Sequence, residues 1–109
     1  DIEDQAGNTL LHLAIQQGKL DIVKYLVELG ADLHSKNQPG LTPIDLASTS
    51  NHLDYISQIF SIKHTNINAT GSDHLTHLHR AIARGDMKLF KQLLSCGADT
   101  NIKDQAGNT

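Results

Sequence analysis

The 109-residue chain lacks several features that would point to a secreted or membrane protein. It has a single cysteine, Cys96, so no internal disulfide can form, and this favours a reducing, intracellular setting. No stretch approaches the roughly 18 consecutive apolar residues of a membrane span. No signal-peptide pattern opens the chain, but its start is uninformative about targeting. We therefore expect an intracellular protein, in the cytoplasm of its own cell or of a host cell.

The chain also lacks an excess of positive charge. Its formal net charge is −3 and its pI is about 6.1, which gives no general basic field. This argues against nucleic acid or an anionic membrane as the main partner. The hydrophobic content of 39% is sufficient for an ordered core.

What the chain does contain is an internal repeat. The hexapeptide "DQAGNT" begins at Asp4 and begins again at Asp104, close to three steps of about 33 residues. The same register relates the stretches that start at Gly7, Gly40 and His74. It predicts one repeat array over 1–109 with units at 4–36, 37–70 and 71–103, and 104–109 opening a further unit. A periodic chain builds its core between neighbouring units.

Each unit has the pattern of two helices. The second helix shows an apolar stripe at helical spacing, such as Ile22, Val23, Leu26 and Val27 in the first unit. A shorter helix precedes it, with a threonine at each start that can cap free backbone N–H groups. These threonines are Thr9, Thr42 and Thr76. The short helices are predicted to end at Gly18, Asn51 and Gly85, residue types that tolerate a left-handed conformation.

Polar segments separate the helix pairs. "SKNQPG" and "IKDQAG" carry turn residues and predict projecting, hairpin-like loops. The second unit has no glycine after its second helix, and His74 replaces the loop glycine, so loop geometry around 62–75 is expected to differ.

The chain resembles the ankyrin repeat, whose units have about 33 residues and a "TPLHxA" helix start. The matching stretches are Thr9–Ala14, Thr42–Ala47 and Thr76–Ala81, together with "GAD" at 30–32 and 97–99. The resemblance implies an all-α solenoid of stacked helix-turn-helix units. It also implies that the histidine at the helix start, here His12 and His79, ties adjacent loops together. Asp45 takes that place in the second unit and can help cap the helix.

The resemblance further implies a non-catalytic module that binds protein partners through the loop tips and the short helices. By register, the residues predicted to face a partner are Gln5, Ala6, Asn8, Gln16, Gln17, Gln38, Pro39, Leu41, Thr49, Ser50, Ser72, Asp73, Leu75, Arg80 and Arg84. This surface is mostly neutral and polar. Leu41 and Leu75 are its candidate apolar anchors, and Arg80 and Arg84 form a positive pair suited to a partner's carboxylate.

Two alternative functions are open. The chain shows no GxSxG, HExxH, CxxC or phosphate-loop motif, so an enzyme reading has no support within these residues. The array could nevertheless position a substrate for a catalytic domain of a larger protein. A histidine-based metal module is the weaker alternative, because only Asp73, His74 and His77 of "DHLTHLHR" could converge. No cofactor or metal ligand is assigned.

Three smaller expectations concern the C-terminal third and the ends. Cys96 lies at a helix C-terminus, where the dipole opposes a thiolate, so it is interpreted as a partly buried side chain. "LLSCGADTN" resembles the asparagine-hydroxylation site of ankyrin arrays, with Asn101 as the candidate and His34 at the same place in the first unit. Neither end shows a polar capping repeat, so we expect the parent protein to be longer and the chain to self-associate in isolation. The parent would be a eukaryotic scaffold or regulator, or an effector of an intracellular bacterium.

Overall fold

A computed structural model of the chain describes residues 3–62 and 65–101. Within these residues the structure contains six α-helices and no strand. In chain order they are α1 (Leu10–Gln16), α2 (Leu20–Glu28), α3 (Pro43–Thr49), α4 (Asp54–Phe60), α5 (His77–Arg84) and α6 (Met87–Ser95). The prediction of paired helices in an all-α solenoid is confirmed.

The helices stack in successive pairs. In the first pair α1 packs on α2, and in the third α5 packs on α6. Between pairs, α1 contacts α3 and α2 contacts α4, while α3 and α4 both contact α6. The core therefore lies between neighbouring pairs, as a repeat array requires. Its fully buried members include Ile15, Val23, Ile44, Ile56 and Leu89, each with 0% exposure.

The three short helices begin in the same way. Thr9, Thr42 and Thr76 are the N-cap residues, and each hydroxyl accepts a hydrogen bond from the backbone N–H three residues later. The side chain at that third position accepts in return from the threonine N–H, which completes a capping box. His12, Asp45 and His79 supply this return bond.

The turns between helices contain residues in the left-handed region. Gly18, Asn51 and Gly85 follow the short helices with φ of 71°, 62° and 67°. Gly30 and Gly97 follow α2 and α6 with φ of 92° and 94°. In the second unit Ile62 stands at this place after α4, and it does not have positive φ. The predicted difference between this exit and the other two is therefore present.

Candidate interaction surface

The loops before the short helices share one geometry. In each, the backbone N–H of the first residue donates to a carbonyl four residues later, and a tight turn closes inside it. The outer bonds are Asp4 N to Asn8 O (3.0 Å), Asn37 N to Leu41 O (3.0 Å) and Gly71 N to Leu75 O (3.2 Å). This pairing is hairpin-like, as predicted. The "IKDQAG" loop lies outside the described residues.

The fourth residue of each turn has positive φ. Gly7 and Gly40 adopt it at little cost, with φ of 76° and 90°. His74 adopts the same conformation with φ of 63°. The third loop therefore keeps the shape of the other two, although a histidine replaces the glycine.

The first two loops are bonded to each other at their base. Asn37 Nδ2 donates to Asn8 Oδ1 at 2.9 Å, and Asn37 Oδ1 accepts from the Leu41 N–H at 2.9 Å. Gln38 N donates to Ala6 O at 2.8 Å. Asn8 is only 8% exposed and Asn37 also 8%. The expectation that Asn8 is free for a partner is wrong, because its amide belongs to the bonds that join the loops.

His12 adds a further bond between these loops. It is fully buried, and its Nδ1 accepts from the Thr9 N–H at 3.0 Å. Its Nε2 lies 2.9 Å from Leu41 O, and because a carbonyl only accepts, Nε2 carries the hydrogen. The His12 ring therefore links the start of α1 to the second loop.

Most of the predicted partner-facing side chains are accessible. The exposed ones are Gln5, Ala6, Gln16, Gln17, Gln38, Pro39, Thr49, Ser72 and Arg84. Leu41, Ser50, Asp73 and Leu75 are half-buried. Leu41 packs against the core, so only part of it is available to a partner. We call the exposed group the loop-face surface.

The two arginines do not form the predicted free positive pair. Arg80 is 5% exposed, and its Nη2 lies 2.8 Å from Asp73 Oδ1. Arg84 Nη1 lies 3.5 Å from Asp45 Oδ1 and 3.4 Å from Asp86 Oδ2. Both charges are already balanced within the chain. The prediction of a free positive site for a partner's carboxylate is therefore wrong.

A polar cleft of about 510 Å³ lies where the loop after α2 meets the third unit. Its lining includes His34, Lys36, Ser72, Asp73 and Arg80. Lys36 Nζ lies 2.8 Å from Asp73 Oδ2. Burial alone raises the pKa of Asp73, but Lys36, the Leu75 N–H and Arg80 outweigh it and bring that pKa to about 2.

Contact between His34 and His77 was not predictable from the repeat pattern. His34 follows α2 and His77 opens α5, yet their rings stack with centroids 4.2 Å apart and planes 5° apart. His77 stands where Pro43 stands in the second unit, and both are buried. The one signal that could have indicated this contact is that His77, a titratable residue, takes the place of Pro43 between two units.

The metal alternative finds no support in this geometry. Among residues 3–62 and 65–101, no group of three or more histidine, cysteine, aspartate or glutamate side chains could hold a metal ion. His74 is exposed whereas His77 is 1% exposed, and Asp73 is paired with Lys36 and Arg80. The three residues considered do not form a common site.

Cys96 and Asn101 lie near the end of the described chain. Cys96 is half-buried at the end of α6, and burial raises the pKa of its thiol. Asn101 is exposed, and its N–H donates to Asp99 Oδ1 at 2.8 Å. His34 makes the same bond to Asp32 Oδ1, also at 2.8 Å, so the two positions are structurally equivalent. Hydroxylation of Asn101 stays a prediction.

None of the helices in the described ranges is long and apolar enough to cross a membrane.

Stacked helix pairs with repeated capping boxes and loops define a helical-repeat protein. A family model for ankyrin repeats (3 copies) matches residues 1–71 and again residues 33–104. The chain belongs to the ankyrin-repeat family.

Named relatives show the same relationship over the whole chain. A mouse B-cell lymphoma 3 protein homolog is 30% identical over 110 residues, covering 100% of this chain and 24% of the relative. A Caenorhabditis elegans homolog of transient receptor potential cation channel subfamily A member 1 is 31% identical over 108 residues, covering 99% of this chain and 9% of the relative. The chain thus spans about a quarter or less of these relatives.

Proposed function

We propose that this chain is a non-catalytic protein-interaction module that binds a partner through the loop-face surface. Ankyrin repeats are generally protein–protein interaction modules. The observation that carries the proposal is the contrast within each loop. Buried bonds fix the base, as between Asn8 and Asn37, while neighbouring side chains such as Gln5 and Gln38 are exposed.

The chemistry of this surface indicates the kind of partner. Glutamine, threonine and serine side chains offer both donors and acceptors and carry no net charge. The nearby arginines are paired with Asp73, Asp45 and Asp86. A partner is therefore recognised by hydrogen bonds to amide, hydroxyl or backbone groups rather than by a strong electrostatic field.

The fixed loop base supports binding in another way. Ordering a flexible loop on binding costs free energy, and a loop already held by its own bonds avoids much of that cost. Here the Gln38 N–H to Ala6 O bond and the His12 bond to Leu41 O hold neighbouring loops together before any partner arrives.

The test compares two variants with the same change in charge. The first carries Gln16→Glu, Gln38→Glu and Ser72→Glu on the loop-face surface. The control carries Ser57→Glu, Gln58→Glu and Ser95→Glu, which are exposed on α4 and α6. Each adds three negative charges to the formal net charge of −3. Circular dichroism first establishes that both variants fold.

Each protein is then used to capture partners from cell lysate, with a photo-crosslinker placed at residue 38 or at residue 58. We expect a partner that wild type and control retain, that the loop-face variant loses, and that crosslinks at residue 38. Equal retention by both variants, or crosslinking confined to residue 58, would contradict the proposal.

A second proposal is that copies of this chain associate end to end. Ile82, Met87 and Leu94 are exposed on the third helix pair, at 55%, 59% and 37%. Their counterparts in the first unit, Ile15, Leu20 and Val27, lie buried or half-buried against the second helix pair.

The opposite end of the stack presents a second apolar face. Leu10, Ile22, Tyr25 and Leu29 are between 51% and 67% exposed there. The counterparts of Leu10 and Ile22 in the second unit are Pro43 and Tyr55, which are buried between pairs. A second copy could therefore continue the same packing.

Sedimentation velocity over a range of protein concentrations tests this association. Wild type is expected to form larger species as concentration rises, and Ile82→Glu with Met87→Glu to remain monomeric. Lys91→Glu is the charge control on an exposed part of α6. A wild-type protein that stays monomeric throughout would refute this second proposal without affecting the first.

A further inference from the structure

The loop after α2 is held against the third unit by a group of titratable side chains. His34 on this loop stacks on His77 of α5, and its Nδ1 lies 2.9 Å from Arg80 Nη1. Lys36 on the same loop lies 2.8 Å from Asp73. The third unit contributes His77, Arg80 and Asp73, so these contacts join parts of the chain that are distant in sequence.

His77 is the most constrained member of this group. It is 1% exposed, and neither of its ring nitrogens has a hydrogen-bond partner in the part of the chain that the structure describes. Its ring lies between His34 at 4.2 Å and Phe60 at 5.7 Å, measured between centroids. The site therefore accepts a neutral ring through packing and provides no acceptor for an added proton.

Arg80 fixes the protonation state of His34. A guanidinium only donates hydrogen bonds, so His34 Nδ1 must be the unprotonated nitrogen of a neutral ring. A second proton on His34 would remove this bond and bring two positive charges within 2.9 Å. Arg80 cannot easily move away, because it is 5% exposed and bonded to Asp73 at 2.8 Å.

We propose that the His34–His77 stack and Arg80 form a pH-sensitive clamp, which holds residues 32–36 on the third unit at neutral pH and releases them in mildly acidic solution.

The charges around the two rings determine the direction of the effect. Arg80 and Lys36 are the cations, and Asp32 and Asp73 are the carboxylates. Asp73 is already paired with both cations, and Asp32 accepts from the His34 N–H at 2.8 Å. No carboxylate of this group remains unpaired to balance a new positive charge on the rings.

The pKa values of both rings shift in the same direction. Burial lowers the pKa of His34, with a further contribution from Arg80, while Asp32 and Asp73 oppose it. Burial, His34 and Arg80 hold the pKa of His77 well below the usual value of 6.5, against Asp73. A depressed histidine pKa means that the closed state binds fewer protons than the open state. The clamp is therefore fully stable above pH 6.5 and weakens as pH falls below it.

The clamp borders the loop-face surface, because it holds residues 32–36 beside the loop that carries Ser72. Release would therefore change the surface offered to a partner, and this consequence alone rests on the proposed function. The opening itself can be measured without any partner.

The experiment is amide hydrogen exchange of the 109-residue chain at about pH 7.5 and about pH 5.5, corrected for intrinsic exchange rates. Opening coupled to one proton should lower protection of 32–36 and 71–77 by up to about ten-fold per pH unit below the unperturbed histidine value. Residues 87–95 of α6 serve as the internal reference, since this helix contains no histidine.

Two double variants distinguish titration of the clamp histidines from titration of histidines elsewhere in the chain. His34→Gln with His77→Phe removes both titrating rings and should abolish the pH response. His52→Gln with His74→Asn removes two histidines outside the clamp and should leave it unchanged. A response that persists in the first variant, or that is the same in residues 87–95 as in 32–36, would overturn the proposal.

A second measurement covers the case in which the first variant fails to fold. The Cε1–H resonances of His34 and His77 in the wild-type chain should titrate below pH 6.5, with His77 the lower. Midpoints at or above that value for both rings would refute the clamp.

Discussion

Leu89 and Ile22 occupy the same position in the third and first units, yet their surroundings differ. Leu89 has 0% exposure in the core cluster, whereas Ile22 is 51% exposed. Replacing Leu89 with alanine removes buried methyl groups and leaves a cavity, which typically costs about 2–5 kcal/mol. Replacing Ile22 removes a side chain that is half in water, so the loss is about 1 kcal/mol or less. The better helix propensity of alanine offsets part of that loss.

Urea unfolding followed by the helical circular dichroism signal measures both variants under the same conditions. Leu89→Ala should lower the free energy of unfolding by at least about 2 kcal/mol more than Ile22→Ala, with an unchanged slope against urea. If Leu89→Ala is already unfolded without urea while Ile22→Ala is folded, the predicted order of stability still holds. Equal midpoints for the two variants would refute the claim that packing between helix pairs provides the core.

Other predictions follow from single contacts. Asn37→Ala should lower the free energy of unfolding by about 1–3 kcal/mol, because it leaves Asn8 Oδ1 and the Leu41 N–H without their partner. A thermal shift near that of an exposed control would contradict this. Because the pKa of Asp73 is about 2 instead of 3.8, its contribution to stability is present above pH 3.8 and is lost as pH falls towards 2. Asp73→Asn should make acid unfolding shallower in that window, and an unchanged profile would argue against the Lys36 and Arg80 pairs. Cys96 should react more slowly with a thiol reagent at about pH 8 than free cysteine does, since burial raises its pKa, whereas an equal rate would contradict the half-buried position. Incubation with an asparagine hydroxylase should add one oxygen at Asn101, measured by the mass of the peptide that contains it. An unchanged mass would refute the prediction that Asn101 is hydroxylated.

The helical framework was predictable because it depends on local signals. The threonine N-caps, the apolar stripes and the turn positions at Gly18, Asn51 and Gly85 each act within a few residues of the helix that they delimit. Repetition then strengthens each signal, because the same pattern occurs in three registers. The hairpin-like loops were predictable for the same reason.

Side-chain pairing between units was not predictable in this way. Arg80 was predicted to be free because its register position lies on the short helix, but its Nη1 and Nη2 are bonded to His34 and Asp73. Arg84 finds Asp45 from the preceding unit. Asn8 is buried because Asn37 lies beside it. These pairings depend on how two units dock, and no periodic pattern within one unit specifies that arrangement.

The loop glycines also show that residue type alone does not predict the structure. The third loop was expected to differ because His74 replaces a glycine, yet its turn closes with the same hydrogen bond as the others. Histidine is among the residues that enter the left-handed region more readily than most, so the substitution changes the cost of the turn rather than its shape. The prediction from residue type therefore overestimated the difference between the third loop and the other two.

The bond from the Gln38 N–H to Ala6 O joins neighbouring loops through backbone atoms alone. Any residue except proline at position 38 can supply that donor, and any residue at position 6 can supply the acceptor. The spacing of the loops thus does not depend on which exposed side chains they carry. Binding specificity at these tips could therefore be redesigned by substitution, through a library at positions 5, 6 and 38, without rebuilding the support beneath them.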